Sequence, residues 1–167
     1  MFYKFNELSE NKRRIATALL CLISFTLATI FGQSMLSREV SSAESGWVRS
    51  FLMKILPEGT LLGDFVLNNI RKIGHFVEYG ILGAEVSLYI CLYAREVLKC
   101  AALSLIFGHI AAFVDETIQI FSGRGPEIRD VWIDFFGFIT LSLMTYAVFF
   151  LAKDLISKRK NLDGKNN

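Results

Sequence analysis

Apolar residues in this chain gather into four long runs separated by polar stretches of unequal length. The first run, Ile15 to Gln33, follows a polar start that ends in Lys12-Arg13-Arg14. The others cover about Ile73–Tyr93, Val97–Ile120 and Val131–Ala152. Each is close to the roughly 20 residues that a helix needs to cross a hydrocarbon core. The pattern predicts an all-α integral membrane protein, a bundle of four transmembrane helices over about residues 15–33, 73–93, 97–120 and 131–152. The first run is too long for a signal-peptide core, and Phe31-Gly32-Gln33-Ser34 is a poor cleavage site, so it is expected to be retained. Only Ala94-Arg95-Glu96 separates the second and third spans, which makes them antiparallel neighbours. The stretch Ser122-Gly123-Arg124-Gly125-Pro126 reads as a turn.

Residues 34–72 form a loop of a different kind. Trp47, Val48, Phe51, Leu52, Ile55 and Leu56 recur at helical spacing, with Arg49, Ser50 and Lys54 on the other side. Pro57-Glu58-Gly59 interrupts that segment, and Leu61, Leu62, Phe65, Val66, Asn69 and Ile70 begin another. Neither piece is long enough to span. Each fits a short amphipathic helix at the membrane interface, or a cap packed onto the bundle; periodicity does not separate the two.

By length the 167 residues are expected to form a single transmembrane domain. Net charge is only +2, so bulk charge gives no reason to expect a nucleic-acid partner; membrane lipid is the expected surrounding. Cys21, Cys91 and Cys100 lie in or beside apolar runs without metal-type spacing, as lipid-facing or packing residues would. Lys and Arg placement sets the expected orientation. Both termini and the link with Arg95 and Lys99 hold eleven of the 18 basic residues, and Lys12-Arg13-Arg14 and Lys158-Arg159-Lys160 flank the outer spans tightly. Both termini are therefore expected in the cytoplasm and the 34–72 loop outside.

Ionisable residues inside spans carry the chemistry, because each costs about 2.5–3.5 kcal/mol at the membrane centre on insertion scales. His75, Glu78, Tyr79 and Glu85 share one face of the second span. His109, Glu116 and Gln119 share a face of the third, with Asp115 beside them; Asp130 and Asp134 stand at i, i+4 in the fourth. His75 and Glu78 open their span, Asp115, Glu116 and Gln119 close theirs, and Asp130 and Asp134 open theirs. Alternating helix direction then brings all three groups to one leaflet, the external one in the expected orientation. Gly80, Gly83, Ala84, Gly108, Ala112 and Gly137 would let the helices approach closely.

Three motifs in order make the chain familiar: Lys72-x-x-His75-Phe76-x-Glu78-Tyr79-Gly80-x-Leu82-Gly83; Asp115-Glu116-x-x-Gln119-x-Phe121 followed by Gly123-Arg124-Gly125; and Arg129-Asp130-Val131-x-x-Asp134-x-x-Gly137. In these the sequence resembles the VanZ-like family, over roughly Gln33 to Thr140. The serine-rich stretch after the first span, Ser34, Ser41, Ser42 and Ser45, is only loosely like the family's. The resemblance implies an envelope-related role; the family's namesake is associated with low-level resistance to teicoplanin-type lipoglycopeptides. It names no substrate and no cofactor.

Four readings of the cluster follow from the residues. The charges can simply pair, with Arg124 and Arg129 neutralising Asp115, Glu116, Asp130 or Asp134, and His75 bonding Glu78. Carboxylates outnumber the nearby bases, however, which favours a head-group site for a lipid-linked or glycopeptide ligand. Its expected residues are Lys72, His75, Glu78, Tyr79, Asp115, Glu116, Gln119, Arg124, Arg129, Asp130 and Asp134, the arginines on a phosphate or carboxylate and the acids and Gln on sugar or peptide donors. The alternative is an enzyme acting on a lipid-linked substrate by acid–base or metal chemistry through His75, Glu78, Glu116 and Asp134, although no catalytic motif is present. A proton relay through the deeper Glu85 and His109 is the last; those two more simply make one hydrogen-bonded pair between the second and third spans.

Overall fold

The computed structural model describes residues 8–56, 59–93, 97–123 and 127–163. They form six helices: α1 (Glu10–Ser34), α2 (Arg38–Leu52), α3 (Leu61–Asn68), α4 (Ile70–Tyr93), α5 (Val97–Phe121) and α6 (Ile128–Asp163). Among the described residues, α1, α4, α5 and α6 are long and apolar enough to cross a membrane. The protein is an all-α membrane protein with four such helices, and α2 and α3 are the short amphipathic helices between the first and second.

The distribution of polarity is that of a bundle in lipid. Leu20, Phe25, Ile106, Phe113, Leu143 and Val148 face outward, whereas Ser87, Ser104, Asp115, Gln119, Asp134 and Ser142 are buried. Lipid tails solvate apolar side chains as well as a core does, so the polar groups are the ones gathered inside. The α6 helix runs past the predicted end near residue 152 to Asp163. Its 36 residues rise about 54 Å, well beyond a hydrocarbon core of about 30 Å. The excess is an exposed charged stem, where Lys158 and Asp154 pair at 2.7 Å.

Helix ends follow local chemistry. Thr60 caps α3 by accepting from the Gly63 amide at 3.1 Å. A single residue, Asn69, separates α3 from α4, and its side-chain amide donates to the Phe65 carbonyl at 2.8 Å. That bond gives the chain an alternative to uninterrupted helix. The α5 helix stops at Gly123, whose φ of 74° ends a helix with little strain only when no β-carbon is present. Across the loop, α2 is tied to the end of α3 by Arg49, which donates to the Leu67 carbonyl at 3.3 Å. Trp47 and Phe51 stack on α2, and with Leu61, Leu62 and Phe65 they are exposed. The apolar faces of α2 and α3 therefore point away from the bundle, as interfacial helices present them to lipid rather than as a cap would.

Packing is most extensive between α4 and α6. They run parallel, since Phe76 meets Gly137, Gly80 meets Leu141 and Gly83 meets Phe138 and Ser142. A β-carbon on Gly83 or Gly137 would overlap the opposing backbone, so these two positions set the interhelical distance. Ser142 seals the contact by donating to the Gly83 carbonyl at 3.1 Å. The α5 helix lies antiparallel to both, with Tyr79 donating to the Ala111 carbonyl at 3.1 Å and Ser104 bonded to Tyr146 at 2.7 Å. Antiparallel α4 and α5 agree with the short link between them, although α6 is the closer partner of α4.

The predicted pair between Glu85 and His109 does not form. Thr26 of α1 donates to Glu85 at 3.0 Å, which fastens the first span to the second. His109 is on the outer surface of α5, its ring 4.9 Å edge-on from Phe135 and 6.3 Å from Trp132. His109 is exposed although Glu116, two turns on and on nearly the same face, is buried.

Candidate functional site

The polar residues converge where α1 and α5 end and α4 and α6 begin. Three ionisable side chains meet at the centre. His75 Nδ1 stands 3.3 Å from an Asp134 oxygen and 3.8 Å from an Asp115 oxygen. Both carboxylates are fully buried, and the imidazole is 14% exposed. The close passage of α4 over Gly137 brings His75 and Asp134 together, because Phe76 follows one and Gly137 lies one turn beyond the other. Tyr79, one turn below His75, is wholly buried and anchors α4 to α5 through Ala111.

A second layer organises the end of α5. Gln119 donates to Glu116 at 2.9 Å and to Asp115 at 3.2 Å. Its carbonyl oxygen accepts from Arg71 at 3.0 Å. The other Glu116 oxygen accepts the Glu127 amide at 3.2 Å, which fixes the entry to α6. Gln119 is therefore an adaptor: its amide supplies donors to two acids and an acceptor to a base. The result is a continuous set of contacts from Arg71 through Gln119 to Asp115, and on to His75 and Asp134.

Satisfaction stops at the centre. Both Asp134 oxygens, one Asp115 oxygen and His75 Nδ1 are buried and lack a hydrogen bond of acceptable geometry among the described residues. His75 and Asp134 touch at 3.3 Å as an ion pair that falls outside the criteria for a well-formed hydrogen bond. Bringing lone-pair atoms together in this way is costly unless something positive sits among them.

Above His75 lies a cavity of about 450 Å³ between α2 and the start of α4. Ser34, Ser41 and Ser45 form one side, Trp47 and Val48 the apolar rim, and Arg71, His75 and Glu78 the polar floor. The serine-rich stretch is thus part of the site.

Of the expected site residues, His75, Tyr79, Asp115, Glu116, Gln119 and Asp134 come together, and Glu78 stands over them in the cavity. Lys72 and Asp130 are half-buried nearby in sequence, with one Asp130 oxygen buried. Arg129 is exposed and is not among the residues of the cavity. Arg124 lies outside the described residues. The base that enters the cluster is Arg71, one helical turn before His75, which the apolar pattern leaves in the 34–72 loop because the second run begins at Ile73. Its spacing was the available signal: residues 71, 75, 78 and 79 lie on one face once the helix starts at Ile70.

The profile of the VanZ/LLP1 family matches residues 11–151. No curated protein and no solved structure matches significantly.

Proposed function

The chain belongs to the VanZ/LLP1 family, and on that premise we propose that its cavity receives the polar head of an amphiphile at the outer face of the membrane. The ligand class is a lipid-linked envelope intermediate or a lipoglycopeptide of the teicoplanin type, and binding it is the route by which the protein would contribute to resistance. The observation that carries this reading is the cavity itself. It places Arg71, Glu78 and three serines beneath Trp47 and Val48, beside the lipid-facing helix α2. A pocket with a polar floor and an apolar rim at the interface fits a molecule with one polar and one greasy end.

Roles follow from position. Arg71 offers its planar fork to a phosphate or carboxylate while one of its nitrogens holds Gln119. Glu78 and the serines meet hydroxyl or amine donors of a sugar or peptide. Asp115, Glu116 and Gln119 are buried next to this floor, and their hydrogen bonds support its shape.

The test is equilibrium binding of a short-chain polyprenyl phosphate, and separately of teicoplanin, to the full chain in lipid nanodiscs. Binding of either ligand, weakened at least about tenfold by Arg71→Ala, is the expected result, since a charge-assisted contact contributes about 1.5–3 kcal/mol. Which ligand binds tells the two sources apart. Absence of binding by both, or equal binding by Arg71→Ala, would refute the assignment.

A further inference from the structure

We propose that His75, Asp115 and Asp134 hold a divalent transition-metal ion, of which Zn²⁺ is the best match. One ligand atom from each lies within 4.8 Å of the others. This claim concerns the buried layer under the cavity and stands whether or not the cavity binds an amphiphile.

Distance is the first support. Two atoms each about 2.1 Å from a shared ion stand roughly 3.0 Å apart at a right angle and roughly 3.4 Å apart at the tetrahedral angle. The His75–Asp134 separation of 3.3 Å falls in that range, and the 3.8 Å to Asp115 closes with a shift of a few tenths of an ångström.

Unsatisfied chemistry is the second and independent support. Asp134 is completely buried, yet neither of its oxygens has a hydrogen bond of acceptable geometry among the described residues. One Asp115 oxygen and His75 Nδ1 are in the same condition. His75 Nδ1 touches Asp134 at 3.3 Å, outside the criteria for a well-formed hydrogen bond, so that contact leaves the remaining lone pairs of the two buried carboxylates without a donor among the described residues. An imidazole nitrogen and carboxylate oxygens gathered within 4.8 Å are a donor set that a cation satisfies.

Charge is the third. A neutral imidazole and two fully buried carboxylates total two negative charges, which a divalent ion cancels. Imidazole with two carboxylates suits Zn²⁺ or a neighbouring transition metal better than the oxygen-only sets preferred by Mg²⁺ or Ca²⁺. Gln119, donating to Asp115, orients that ligand from behind. Three protein ligands would leave room for a further ligand, and His75, one of the three, also lines the cavity.

The experiment uses the full chain in detergent, stripped with a chelator and titrated with Co²⁺. The expected result is one ion per chain, visible ligand-field bands, and displacement of those bands by Zn²⁺. Asp134→Asn and His75→Gln should each weaken Co²⁺ binding at least about tenfold, while Glu85→Gln, a buried acid elsewhere in the bundle, leaves it unchanged. If Asp134→Asn does not accumulate, the wild-type spectrum and His75→Gln decide. A wild-type chain that binds no Co²⁺, or variants that bind it as the wild type does, would overturn the proposal. Neither result depends on a bound amphiphile.

Discussion

Gly137 of α6 lies directly against the carbonyl of Phe76 in α4, with no room for a β-carbon between them. This contact fixes the separation of His75 and Asp134, each a turn or less away. Gly137→Ala must therefore push the helices apart, since the opposing atom is backbone and has no rotamer to yield. Overpacking of this kind costs about 1–3 kcal/mol, and a backbone obstacle puts it at the upper end. Gly83→Ala should behave alike, because it meets the Phe138 carbonyl. Gly32→Ala in α1 meets nothing within 4 Å and should be neutral or stabilising by up to about 1 kcal/mol. Thermal melts of the three variants in one detergent check the order. Equal melting temperatures would mean that α4 and α6 are not packed on glycine.

Glu116→Gln is the informative change in the second layer. Glu116 accepts with both oxygens, from Gln119 and from the Glu127 amide. A glutamine there keeps only one acceptor and turns its NH₂ toward one of two donors. The variant should lose about 1–3 kcal/mol of stability, and Glu116→Asp should lose less than an alanine does. Size at this position is not the issue; acceptor count is. The measurement is a melting curve for all three variants beside the wild type, and a melt of Glu116→Gln that matches wild type would count against the two-acceptor arrangement.

Within the α1–α4 packing, Thr26 donates to Glu85, whose other oxygen is buried without a hydrogen-bond partner among the described residues. Thr26→Val removes the donor while keeping the shape, leaving the acid less satisfied at about 1–3 kcal/mol. In a Glu85→Leu background the same change should cost almost nothing. A double-mutant cycle reads the difference as coupling. Additive effects would show that the two side chains do not meet in the folded protein.

Much of this arrangement was legible in the sequence because membranes exaggerate it. Four apolar runs of bilayer length left few choices for the spans, and the placement of His75, Asp115 and Asp134 near matching helix ends was enough to bring them to one depth. What was not legible was rotation. A helix with lipid on several sides tolerates apolar residues all round, so hydropathy cannot say which face turns inward. Hence His109 was expected inside and is outside, and Arg129 was expected at the site and is exposed. Arg71 was overlooked for a related reason: α4 starts three residues before its apolar run, and a polar first turn does not look like a span. The α4–α6 pairing was hidden too, since nothing in the order of helices says that two parallel spans pack more closely than the hairpin between them. The small residues were the one hint, and Gly83 and Gly137 are indeed where the two backbones meet.

The orientation of the bundle decides which face of the membrane the cavity opens to, and labelling can settle it. Ser42 is exposed on α2, at the end of the bundle that carries the cavity. Ser157 is exposed on the charged stem of α6, beyond the opposite end. In a background with Cys21, Cys91 and Cys100 replaced, single Ser42→Cys and Ser157→Cys chains report one side each. Lys12-Arg13-Arg14 and the Lys158-Arg159-Lys160 group flank the first and last spans closely, within the 15–20 residues where the positive-inside bias acts. Ser42→Cys should therefore react with a membrane-impermeant maleimide on intact cells, and Ser157→Cys only after permeabilisation. The reverse pattern would leave the geometry of the site untouched but would turn the cavity toward the cytoplasm. An external lipoglycopeptide would then be unable to reach Arg71, and an envelope precursor still on the inner leaflet would become the ligand to test.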